Sequence, residues 1–134
     1  MANLTTVEGI GDVYRMKLSE AGIDTTQALL DRGKTPKGRD ELAKATGISE
    51  TLILEWVNHV DLFRVQGIGS EYADLLEEAG VDTVPELAQR NPQNLHQALV
   101  QTNEEKHVVR QVPGASQVEA WVNQAKTLPR VIVY

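Results

Sequence analysis

The residues of this chain best suited to chemistry are glycines and cations. Gly9-Ile10-Gly11 returns fifty-eight residues later as Gly67-Ile68-Gly69, and each copy stands before a helix-forming stretch. Glycines at a helix start let an anion come close to unpaired backbone N–H groups and to the positive end of the helix dipole. That is phosphate chemistry, and it needs no catalytic side chain. A second anion candidate is RGKTPKGR, residues 32 to 39, in which Arg32, Lys34, Lys37 and Arg39 stand without an acid among them. Each has a plainer alternative: glycines that only let two helices pack closely, and a charge run that is a solvated loop.

Other chemistries find less support. Ala28 to Thr35, ALLDRGKT, matches the spacing of a nucleotide-phosphate loop, but that loop needs a strand before it and a helix after it. Here a helix opened by Thr25 precedes Gly33, and Pro36 is expected to interrupt the residues after it. Neither glycine pair has the third glycine of a dinucleotide fingerprint. His59, His96 and His107 are too dispersed for a helical metal pair and read as surface residues. Serines, histidines and acids show no nucleophile-and-base spacing. The expectation is a non-catalytic protein without cofactor or metal.

The elements that would position the glycines are given by the repeat. VEGIGDVYRMKLSEAGIDT from Val7 matches VQGIGSEYADLLEEAGVDT from Val65. Asp12 and Ser70 are placed as helix N-caps; Tyr14, Leu18 and Ala21, like Tyr72, Leu76 and Ala79, share one helical face, and Gly22 and Gly80 close the helices. Thr25 and Thr83-Val84-Pro85-Glu86 open second helices that end near Gly33 and Asn91-Pro92. Residues 32–39 form a loop; a helix from about Asp40 to Ala45 breaks at Gly47-Ile48, and another resumes from Ser49 through Leu52, Ile53, Trp56 and Val60. Further on, Leu95, Leu99 and Val100 mark one helix, Asn103 caps another carrying Val108 and Val109, and Val118, Trp121, Val122 and Ala125 mark the last. Trp121-Val122-Asn123 echoes Trp56-Val57-Asn58. LPRVIVY, residues 128–134, has β character.

The 134 residues are 41% hydrophobic and 24% charged, which is globular composition, and aromatics are only 4%, so Leu, Val, Ile and Ala must build the core. The repeat divides the chain into units 1–64 and 65–134. A net charge of −6 opposes any whole-surface attraction to nucleic acid or anionic lipid, so an anion site must be local. Residues 1–64 carry eight Lys/Arg against ten Asp/Glu, and residues 65–134 carry five against nine. The absence of cysteine suits a reducing cytoplasm, and no signal or membrane-spanning segment is evident. Oligomeric state is left open.

A helix, an apolar-Gly-apolar-Gly turn and a second helix form the helix-hairpin-helix pattern. Gly9-Ile10-Gly11 with Leu18, Ala21-Gly22, Asp24-Thr25 and Thr46-Gly47-Ile48-Ser49 resembles the amino-terminal domain of the archaeal and eukaryotic recombinases related to RecA. Over both halves, with Trp56, Leu62, Trp121 and LPRVIVY, the chain is similar to a domain of unknown function (DUF4332) with paired helix-hairpin-helix repeats. The resemblance implies an all-α fold: two tandem helix-hairpin-helix units packed together, with a short extended C-terminal tail. It also implies sequence-independent contact with nucleic-acid phosphates through Gly9, Ile10, Gly11, Gly67, Ile68 and Gly69, helped by Arg15, Lys17 and the basic run. The chain departs from the binding members of that class at Asp12-Val13 and Ser70-Glu71, where Lys or Arg often comes after the second glycine, and at Arg15, where a small residue is usual and Ala73 keeps it. The alternative is a protein-interaction adaptor that offers helical surfaces or the LPRVIVY edge to a partner.

Overall fold

Capping side chains, two of them succeeded by proline, set where four of the helices of this chain begin. The structure, a computed structural model, describes residues 3–7 and 9–134. It is all-α: among the described residues no strand forms, and pairing of extended backbone is limited to an isolated antiparallel bridge between Asn3 and Thr25. Two compact units divide the chain, Met1–Asp61 with Val131–Tyr134, and Leu62–Arg130.

In the first unit a short 3-10 turn, Leu4–Thr6, leads to four helices: α1 (Asp12–Glu20), α2 (Thr26–Gly33), α3 (Pro36–Thr46) and α4 (Glu50–Leu62). Thr25 caps α2 by accepting from Ala28 N at 3.1 Å, and Ser49 caps α4 by accepting from Leu52 N at 3.2 Å. Each such cap contributes about 1 kcal/mol. α3 packs against α1 and α2. Leu18, Ile23, Leu29, Leu42, Ile53, Trp56 and Val57 are buried, and so is Ile132, which returns to this unit with the last four residues. A buried side chain of this size contributes roughly 1.5–3 kcal/mol.

The second unit repeats this order with α5 (Ser70–Glu78), α6 (Val84–Ala88), α7 (Pro92–Lys106) and α8 (Ala115–Ala125). α7 packs against α5 and α8, and α6 against α8. Ala73, Leu75, Leu76, Leu95, Leu99, Val118, Trp121 and Val122 belong to one apolar cluster. α3 and α7 match in their signals as well as their order. Thr35 and Asn91 cap them by accepting from Gly38 N and Asn94 N, each at 3.0 Å, and Pro36 and Pro92 hold the first helical position. Both end on a left-handed residue, Gly47 or His107.

Several expectations are corrected. Residues 32–39 are not a loop but the end of α2 and the start of α3, because proline in the first turn fits a helix start, where its missing N–H has no intrahelical acceptor. Asp12 and Ser70 are the first helical residues and not caps; Gly11 and Gly69 occupy the cap positions, and no side chain caps either helix. Asn103 starts no helix, since α7 runs through it. Its carboxamide instead clasps Val109 beyond the helix end, accepting from Val109 N at 2.9 Å and donating to Val109 O at 3.0 Å. His59 is buried in α4 and not on the surface. The segment LPRVIVY forms no strand, and its last residues dock on helices of their own chain.

Candidate nucleic-acid interface

Each glycine turn is built the same way. Ile10 N donates to Val7 O and Ile68 N to Val65 O, both at 3.1 Å. Gly9 and Gly67 take φ of +93° and +92°, left-handed values that glycine adopts without steric cost. A Cβ on Gly9 would stand 3.3 Å from Trp56 Nε1, and one on Gly67 would stand 3.1 Å from Trp121 Nε1. Both tryptophans are buried, each the seventh residue of its helix, α4 or α8. Tyr14 meets the Trp56 ring at a centroid distance of 5.1 Å, and Tyr72 meets Trp121 at 5.3 Å. Ile10 and Ile68 point inward and are buried, while Gly11 and Gly69 are exposed. These glycines sit at φ −93° and −100°, and their carbonyls accept the first bonds of α1 and α5, from Arg15 N and Ala73 N at 2.9 Å.

Such a helix start leaves its first N–H groups without intrahelical acceptors. The surroundings of the two starts differ. On α1, Arg15 lies 3.9 Å from the exposed Asp12 carboxylate, and Lys17 Nζ stands 5.9 Å from the centroid of the Tyr14 ring. Arg15 is partly exposed and Lys17 exposed, so both cations stand on the helix that begins at the turn. Val13 (66% exposed) and Met16 (56%) lie beside them. On α5 the corresponding positions are Ala73 and Leu75, both buried, and Glu71 and Asp74. The second turn is also tied from above, since Gln66 N donates to Gln124 Oε1 at 3.0 Å.

The other cations do not gather at the first turn. Arg32 reaches Ala21 O at the C-terminal end of α1 with a long 3.5 Å bond. Nine helical residues, about 13 Å of rise, separate that end from the glycine turn. Lys34 and Lys37 are exposed on either side of the Thr35 cap. Arg39 is a different case: it is 6% exposed, with Nη1 donating to Gly33 O and Nη2 to Val133 O, both at 2.9 Å. A guanidinium committed to two carbonyls is a structural tie, and Arg39, expected among the anion candidates, is turned inward. It also lines an open cavity of about 260 Å³ with Pro36, Glu50, Thr51 and Leu54, where the Glu50 carboxylate opposes an anion.

Two exposed ion pairs tune their own members. Lys106 is raised above the usual lysine range by its hydrogen bond to Glu78, and Asp40 is lowered below the usual carboxylate range by its hydrogen bond from Lys44. His96 Nε2 lies 3.1 Å from Pro113 O, and His107 is exposed. Among the described residues no group of three His, Cys, Asp or Glu is placed to hold a metal ion, and no helix is long and apolar enough to cross a membrane.

The sequence alone did not reveal the tryptophan beneath each turn as its support, although the Trp-Val-Asn echo carried that signal. The exposed Val13 and Met16 had no counterpart signal.

The family model described as a domain of unknown function (DUF4332) matches residues 8–128, and the chain belongs to that family. No curated protein and no solved structure gives a significant match.

Proposed function

We propose that this DUF4332 member is a helical binding module of tandem helix-hairpin-helix architecture that contacts nucleic-acid backbone phosphates, without reading bases, through Gly9-Ile10-Gly11. The observation that carries the reading is the pairing of an uncapped helix start with two accessible cations, Arg15 and Lys17, on the helix it opens. Backbone N–H groups and the helix dipole hold the anion, and the cations supply the counterion release that gives such contacts their affinity. Gly67-Ile68-Gly69 supports the fold and contributes less to binding, because α5 carries acids and no lysine or arginine. Lys34 and Lys37 add local positive charge at the start of α3.

The test is fluorescence anisotropy of a short labelled DNA or RNA duplex and single strand at low salt. Gly11→Asp is a clean probe, since a Cβ there meets nothing within 4 Å and φ is negative. It places a carboxylate on the N–H groups the phosphate needs, so binding is lost while helix content is unchanged. Arg15→Ala with Lys17→Ala lowers the salt slope by about 2, at roughly 0.9 per phosphate contact. Equal binding by all three proteins, or none by the parent, sinks the reading.

Val13 and Met16 favour a second reading, a protein adaptor whose partner covers this apolar and basic face of α1 with an acidic, apolar-striped surface. Site-specific photo-crosslinking from position 13 that yields a defined adduct, lost in Met16→Asp, supports it; an unchanged adduct pattern removes it.

A further inference from the structure

The first unit holds an extended segment of chain by its backbone. Val133 N donates to Lys34 O at 2.8 Å, and Arg39 Nη2 donates to Val133 O at 2.9 Å. Both main-chain groups of one residue are therefore taken, as when a peptide adds to a sheet edge, although no sheet forms among the described residues. Arg39 is itself fixed by the bond from its Nη1 to Gly33 O. Beside this clamp Ile132 is 2% exposed, and Tyr134 OH donates to Asn58 Oδ1 at 2.8 Å. The Val133 side chain is turned outward. The site thus selects an extended backbone with an apolar residue, any residue that keeps its N–H, then a phenol.

Its occupant is unusual in origin. Leu62–Arg130 belong to the second unit, whereas Val131–Tyr134 belong with Met1–Asp61 to the first. Lys126 to Arg130, non-helical and containing Pro129, join the two. Lys34, Arg39 and Asn58, which hold the segment through these bonds, lie in the short link between α2 and α3, on α3 and on α4, so the same three bonds form whichever molecule supplies it.

The geometry points to a peptide receptor in the first unit whose partner in trans is residues 131–134 of a second copy of this chain, giving a dimer by segment exchange. Closed and exchanged forms share their contacts and differ only in chain connection. The tethered segment acts at an effective concentration of order 1 mM, so exchange sets in as protein concentration approaches that value.

The experiment uses the full chain and a fluorescent synthetic peptide of residues 128–134. The peptide binds saturably. Versions carrying Ile132→Asp, or Val133→Pro, which lacks the donor N–H, bind at least tenfold more weakly, and these changes leave the protein untouched. Binding of the parent peptide tightens at least tenfold to full-length Ile132→Asp protein, whose own segment no longer competes. In sedimentation, a dimer grows with concentration and dissociates when unlabelled peptide is added in excess. Equal binding of the three peptides, or none at about 1 mM, overturns the receptor. A dimer indifferent to peptide, or no dimer at that concentration, overturns the exchange.

Discussion

The helices α1 and α5 begin at near-identical glycine turns, yet one shows solvent what the other buries. Tyr14 and Tyr72 meet tryptophans alike, Leu18 and Leu76 are equally buried, and Gly9 and Gly67 differ in φ by 1°. Arg15 and Lys17 nevertheless stand where Ala73 and Leu75 join the apolar cluster of the second unit. The fifteen-residue α7 packs on α5, and its Leu95 and Leu99 belong to that cluster; α1 instead packs on the eleven-residue α3. A duplicated turn can be kept for its geometry while the face beside it is free to become core in one copy and to stay open to solvent in the other.

Exchanging those faces gives the largest expected effect. Leu75→Lys places an unpaired ammonium in a packed cluster and costs about 5 kcal/mol, enough to unfold a domain of ordinary stability. The reciprocal Lys17→Leu changes stability by less than about 0.5 kcal/mol, as expected of an exposed site. Urea unfolding of both variants decides the comparison; similar losses would break it. Next come the shared supports. Trp56→Ala and Trp121→Ala each cost roughly 3–5 kcal/mol, because the two tryptophans do the same job under the same turn. Unequal values in the same unfolding series would show that the turns are not equivalent.

Gly9→Ala and Gly67→Ala come third, at about 1–2 kcal/mol for left-handed backbone, plus the displacement of a tryptophan ring. Gly11→Ala and Gly69→Ala, in open space at negative φ, cost less than their partners, and thermal melts of the four variants rank them. The smallest effect belongs to Asp40→Asn. A carboxylate lowered by its Lys44 hydrogen bond contributes stability above the usual carboxylate range and loses it as pH falls through the lowered value. Both partners are open to solvent, so melts of the parent and the variant at neutral and acid pH superpose within error.

Much of this fold was legible in the sequence because its punctuation is local. Thr25 and Ser49 cap the helices assigned to them, and Val118, Trp121, Val122 and Ala125 share the face their spacing requires. Where local signals competed, the outcome went the other way. Pro36 looked like an interruption and proved to be a helix start, and Asn103 carried a capping residue's chemistry but spent it on Val109 at the far end of its helix. The candidate site was less legible. Gly9 to Gly11, Arg15 and Lys17 stand together, but Arg39, one of four cations in a single run, turned inward.

The sequence by itself determined where this chain turns and where its helices start, because caps, prolines and left-handed glycines act within three or four residues. Only the tertiary structure decided which helix faces meet water, which arginine is a tie and where residues 131–134 come to rest. Those outcomes depend on groups as distant as Arg39 and Val133, and burial is a property of neighbours that no local spacing records.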